Sequence, residues 1–152
     1  MRVFLVRHAD AGDREDWRGD DRDRPLSEKG WAQARGLVEH LGAEQVGAIL
    51  SSPYLRCVQT VEPAGAALGI EVEPEDALQE GADWHKALGL VLGVTVPTVM
   101  CSQGDVIGSL VMEIVRLGIA GRDARWQKGS TWVLDVDSRT IQAARYLPPQ
   151  RG

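Results

Sequence analysis

The stretch VFLVRHADAG, residues 3–12, runs apolar for four residues and then turns abruptly to Arg7 and His8. Short, β-branched and bounded by polar residues, the run predicts a strand over 2–6 buried on both faces, as at the centre of a parallel sheet. A guanidinium and an imidazole then stand at its carboxyl end. Open parallel sheets bind ligands just beyond the carboxyl ends of their strands, so chemistry is expected here first.

Downstream, strand and helix patterns alternate. Residues 12–25, GDREDWRGDDRDRP, are dominated by charge and lack any period; they read as a solvated surface loop, ahead of a site lid or a carboxylate-cage metal site. Trp31, Ala34, Leu37, Val38 and Leu41 share a helical face, with Ser27 placed to cap the helix and Gly42 to end it. VGAIL at 46–50 predicts a second strand, followed by a helix with Pro53 in its first turn and a kink or interruption at Pro63. A short strand over 70–73, a helix over 83–93, a strand over 95–101 and a helix over 105–117 come next. Residues 131–137 and 140–147 predict a hairpin turning at Ser138 and Arg139. The alternation implies an α/β three-layer sandwich around a mostly parallel central sheet, in one domain spanning 1–152.

The totals fit that expectation. At 152 residues the chain can bury a sizeable core without metals or disulfides, and 43% hydrophobic with 26% charged residues is ordinary for a soluble protein. No apolar stretch approaches the ~20 residues that span a bilayer, and the amino terminus lacks a secretory pattern, so a cytoplasmic setting without membrane partners is expected. Cys57 and Cys101 are too few for a disulfide framework and read as reduced thiols. A net charge of −5 argues against nucleic acid as a partner, so any phosphate chemistry needs a local cluster of positive charge.

Such a cluster is within reach. The first strand ends in Arg7 and His8, the second in SSPYLR with Arg56 one turn into its helix, and the strand through Val99 ends in CSQG, where Gly104 opens another helix. Two guanidiniums supply planar forks of donors for phosphate oxygens, and the helix start adds backbone N–H groups. A neutral His8 can attack phosphorus with one ring nitrogen while the other is held by an acceptor.

These residues resemble the histidine phosphatase superfamily, whose first motif reads Arg-His-Gly and which includes phosphoglycerate mutases and SixA-like phosphohistidine phosphatases. LVRHADAG is similar to that motif with Ala9 for glycine, and RPLSEKGWAQARGL to the segment after it. ILSSPYLRCVQTVEP resembles the second-arginine motif, DALQEGADW the acidic segment, and VMCSQGDVIGSLV the final motif, usually Ser-His-Gly. The short length favours the SixA-like branch, and the chain also resembles the phosphatase-like half fused to Nudix hydrolases in some actinobacteria. The resemblance implies a phosphoglycerate mutase-like fold without metal or cofactor. It further implies a phosphohistidine on His8, phosphate bound by Arg7 and Arg56, and a leaving-group proton from Glu80, with Glu75, Asp76 and Asp83 close by as rivals.

One position departs from the family. Gln103 stands where the second histidine is usual; it completes the phosphate-binding set with Gly104 but offers a neutral amide in place of a charged donor. The expectation is a phosphatase hydrolysing a phosphohistidine or a small phosphomonoester, its partner a phosphorylated protein or small phosphorylated substrate. The alternative is a non-catalytic module of the same fold that binds a phospholigand or a partner. His40 reads as a surface residue, and His85 as an exposed first-turn histidine. Most of the five tryptophans read as core or half-buried packing, with Trp17 alone considered for substrate contact.

Overall fold

The computed structural model describes residues 1–41 and 44–150, and contains six strands and four α-helices in the order β1 (Arg2–Arg7), α1 (Glu28–Leu41), β2 (Ala48–Ser51), α2 (Leu55–Leu68), β3 (Val72–Pro74), α3 (Trp84–Leu92), β4 (Thr98–Ser102), α4 (Gly104–Arg116), β5 (Thr131–Asp137) and β6 (Thr140–Leu147). The strands form one sheet ordered β3-β2-β4-β1-β5-β6. β3, β2, β4 and β1 run parallel, and β5 and β6 add an antiparallel edge.

Strand β1 is central, paired with β4 on one side and β5 on the other. Its side chains alternate between two cores, as a period of two requires. Val3 and Leu5 join Met100, Leu134 and the α4 residues Val106, Ile107, Leu110, Val111 and Ile114 on one face. Phe4 and Val6 join Val99, Cys101 and residues of α1 and α2 on the other. The fold is thus a three-layer α/β sandwich, α1 and α2 on one face and α3 and α4 on the opposite one. No helix among the described residues is long and apolar enough to cross a membrane.

Local signals place several boundaries well. Ser27 caps α1, its Oγ accepting from Gly30 N at 3.0 Å and donating to Asp10 Oδ2 at 2.6 Å. Gly42, expected to end α1, lies outside the described residues. Ser138 and Arg139 turn the β5–β6 hairpin with φ of 50° and 59°, the left-handed pair a two-residue loop demands.

Prolines are where the sequence misleads. Pro53 precedes α2 rather than lying in its first turn, and Pro63 does not interrupt the helix, which runs unbroken from Leu55 to Leu68. One lost backbone bond is outweighed because Thr60, Val61, Ala64 and Gly65, on both sides of the proline, are buried. Pro74 ends β3 at the edge of the sheet, where a missing N–H costs no ladder bond on the solvent side.

Candidate active site

β1 and β4 are neighbours, yet the chain leaves β1 toward α1 on one face and leaves β4 into α4 on the other. Adjacent strands whose connections diverge open a crevice at their carboxyl ends. A cleft of about 440 Å³ lies there, with Arg7, His8, Arg56, Glu80 and Gly104 on its wall, so three separate strand ends do converge. Asp13, Arg14, Arg24, Asp105 and Lys128 complete its charged lining.

His8 is 5% exposed. Its backbone is clamped from both sides: the amide donates to the Ser102 carbonyl at 3.0 Å, and its own carbonyl accepts from Gly129 N at 3.0 Å. Nδ1 lies 2.7 Å from the Ala9 carbonyl. A carbonyl only accepts, so Nδ1 carries the proton and the neutral ring keeps Nε2 as a bare lone pair. Burial, then the charges of Arg56, Arg7 and Lys128, push the His8 pKa down to about 3 against the opposing Ala9 bond. At neutral pH the ring is uncharged. The loop after it is fixed by α1 and α2: Ala9 N donates to Thr60 Oγ1 at 2.9 Å, and Asp10 N to Gln33 Oε1 at 2.9 Å.

The two arginines are held differently. Arg7 Nη1 donates to the Trp126 carbonyl at 2.8 Å, while its buried Nε has no partner. It packs against the start of α4 so closely that a Cβ on Gly104 would stand 2.8 Å from Nη2, which explains the glycine there. Arg56 is fully buried; Nη1 donates to the Asp21 carbonyl at 2.8 Å and Nη2 to Asp21 Oδ2 at 3.1 Å, with Glu80 Oε1 at 3.5 Å. Asp21 also bridges Arg24 at 3.0 Å and Arg14 at 3.3 Å. Burial raises its carboxyl pKa, but the Arg24 bond and the Arg56 and Arg14 charges outweigh this and leave it below the ordinary value.

The segment 12–25 is therefore not simply a solvated loop. Arg24 is 6% exposed, its Nη1 donating to the Ala11 carbonyl at 2.7 Å, and two short 3-10 turns (Arg14–Asp16 and Asp21–Asp23) set the charges in place. Residues 12–20 are exposed, as expected of a surface loop, while Asp21 and Arg24 turn inward and Asp21 pairs with both Arg24 and Arg56. Among the described residues no three His, Cys, Asp or Glu gather as a metal cage, in this loop or elsewhere.

Glu80 lies on the cleft wall, bonded to Arg14 Nη2 at 3.0 Å. Its sequence rivals do other work: Glu75 caps the turn 76–78, Asp83 caps α3, and Asp76 is exposed. Gln103 is the N-cap residue of α4, 1% exposed, and neither polar atom of its amide has a partner among the described residues. Gly104 opens α4. His85 is exposed and paired with Asp83, and His40 is half-buried in the last turn of α1. Trp17 folds back to donate to the Asp20 carbonyl at 2.9 Å. Cys57 and Cys101 are buried free thiols.

Asp21, Arg14, Arg24, Asp105, Trp126 and Lys128 were not singled out from sequence. Thr60 was missed too, although it stands one helical turn after Arg56 and donates to its carbonyl at 2.6 Å, a spacing legible on one helix face.

The family model described as histidine phosphatase superfamily (branch 1) matches residues 3–89, more than half of the chain. The chain belongs to this superfamily. An 8-oxo-(d)GTP phosphatase of Mycolicibacterium smegmatis is 37% identical over 97% of this chain, which spans 48% of that protein. The tau 55 kDa transcription factor subunit of Saccharomyces cerevisiae is 32% identical over 55% of the chain, which covers 21% of it. The chain thus spans about half, or less, of the curated relatives it matches. Among solved structures, a putative phosphohistidine phosphatase SixA from Agrobacterium tumefaciens superposes with TM-score 0.77 at 26% identity, covering 98% of both chains. The protein histidine phosphatase SixA with tungstate superposes at TM-score 0.76 and 24% identity, covering 95% of this chain and 96% of its own. Both likenesses agree with the phosphoglycerate mutase-like sandwich described above.

Proposed function

We propose that this chain is a phosphatase that works through a phosphohistidine on His8. The carrying observation is the buried neutral ring, its Nδ1 held by the Ala9 carbonyl between two arginines. Nε2 attacks phosphorus, the ester P–O bond breaks, and the leaving oxygen takes a proton from Glu80. Water then attacks the phosphohistidine and gives a proton back to Glu80, the P–N bond breaks, and inorganic phosphate leaves with the ring restored. Arg7, Arg56 and the first amides of α4 hold the phosphoryl oxygens as charge shifts among them. Gln103, immediately before Gly104, is buried and not among the residues that line the cleft; a buried amide without partners costs stability until something bonds it.

For the substrate class we favour a nucleoside phosphate. The relative named an 8-oxo-(d)GTP phosphatase is more similar in sequence than the SixA structures, 37% against 24–26% identity, and supports this choice. Phosphohistidine on a protein is the second reading, supported by the SixA likeness.

The test uses an aryl phosphate with a labelled phosphoryl group. Expected are phosphate release, acid-labile label on the wild-type chain, and loss of both in His8→Ala, turnover falling by about 10³-fold or more. Thermal protection by phosphate with neither turnover nor label would instead establish the binding-module alternative.

A further inference from the structure

We infer that the groove along the exposed side of α4 is the site for the purine base of a nucleotide whose phosphate sits on His8; this rests on the phosphatase reading above. The groove, of about 500 Å³, continues the cleft: Gly104, Asp105 and Trp126 line both. It follows α4 for about 18 Å at 1.5 Å per residue, from Gly104 to Arg116.

Its shape comes from residue size. Gly104 and Gly108 let other groups lie close on α4, the Arg7 guanidinium over the first and the Trp126 indole over the second, and Ser109 and Trp84 line the groove beside them. Farther along, Met112 and the Glu113–Arg116 ion pair occupy the face. Gly108 permits the arrangement, since a Cβ there would stand 2.9 Å from the Trp126 indole. Trp84 is braced by stacking on His85, ring centres 4.0 Å apart. One residue joins the two compartments: the Trp126 carbonyl holds Arg7 Nη1 at 2.8 Å while its indole walls the groove.

Two indoles beside a mostly apolar floor suit a planar aromatic group, which gains by stacking whichever way its edge is turned. The volume is that of a small-molecule pocket. A base linked to its phosphate through a sugar bridges the two compartments.

The experiment reads binding in His8→Ala, where no turnover intervenes, with guanosine 5′-monophosphate and ribose 5-phosphate as probes that differ only in the base. The nucleotide is expected to bind at least about tenfold more tightly, and Trp84→Ala or Trp126→Ala to erase most of that advantage. Ser109→Trp, which fills the groove from the helix surface without emptying any core, is expected to erase it as well. Equal affinity for the two probes, or an advantage that survives all three variants, overturns the inference. So does a result in which the variants weaken only capture of a histidine-phosphorylated protein. The phosphatase reading fails separately, by absence of turnover and label in the chain with His8 intact.

Discussion

Arg7 and Arg56 flank the same imidazole from opposite sides of the cleft, and the protein treats them in opposite ways. Arg56, on the α1/α2 side, is neutralised by the chain itself: Asp21 takes two of its nitrogens and Glu80 approaches a third time. Arg7, on the α4 side, meets only the neutral Trp126 carbonyl among the described residues, and the buried Nε of both arginines has no partner there. The contrast follows from burial. A fully buried guanidinium is costly unless an anion stands against it, and the loop 12–25 brings that anion 35 residues along the chain. On the phosphatase reading proposed above, a substrate phosphate meets no carboxylate at Arg7 and competes with Asp21 at Arg56.

The severest way to break this comparison is to remove the committed arginine. Arg56→Ala is expected to lower kcat/KM on an aryl phosphate by roughly 10²–10³-fold, the cost of one preorganised donor set. Steady-state kinetics check it, and a loss below tenfold would mean that Arg7 and the helix start suffice.

Burial is the main cause of the low His8 pKa, and the pair adds to it, Arg56 acting more strongly than Arg7. Because the folded pKa of about 3 lies below the unfolded 6.5, the unfolded chain binds a proton that the native one refuses between those values. Stability from this residue is therefore full above pH 6.5 and is lost, by a few kcal/mol in all, as pH falls toward 3. Urea unfolding at pH 7 and pH 4.5 should show a smaller drop for His8→Asn than for wild type. NMR titration should show His8 moving upward more in Arg56→Gln than in Arg7→Gln.

Asp21→Asn sharpens the contrast more gently. Freed from its internal anion, Arg56 is expected to bind substrate better, so that KM falls several-fold while stability drops by about 1–2 kcal/mol, discounted for partial exposure of Asp21. A rise in KM would show that Asp21 organises Arg56 for substrate rather than competing with it. The smallest effect belongs to Gln103→His. The neutral amide already offers an N–H, so turnover is expected to stay the same or rise modestly, and a marked slowing would assign the glutamine to a different mechanism.

How much of this was readable beforehand depends on the range of the interaction. His8, Arg7 and Arg56 could be found because each stands at or shortly after the end of a strand, and strand ends are marked by local pattern. The Ser27 cap was equally local, settled within three residues. The charges of 12–25 were not readable in the same way. Arg14 pairs with Glu80 across 66 positions and Asp21 with Arg56 across 35, and nothing in the alternation of signs names a partner. Pro63 shows the same limit from the other side, since its local cost is overruled by burial on both flanks.

By itself, then, the sequence determined which strands form, which faces they bury and which side chains stand at their carboxyl ends, because period and hydrophobicity act between near neighbours. Only the tertiary structure decided that one arginine is neutralised and the other left open, and that two tryptophans from different segments wall a groove beside them. Those outcomes depend on distances between residues far apart in the chain, where Coulombic pairing and contact are settled by packing rather than by pattern.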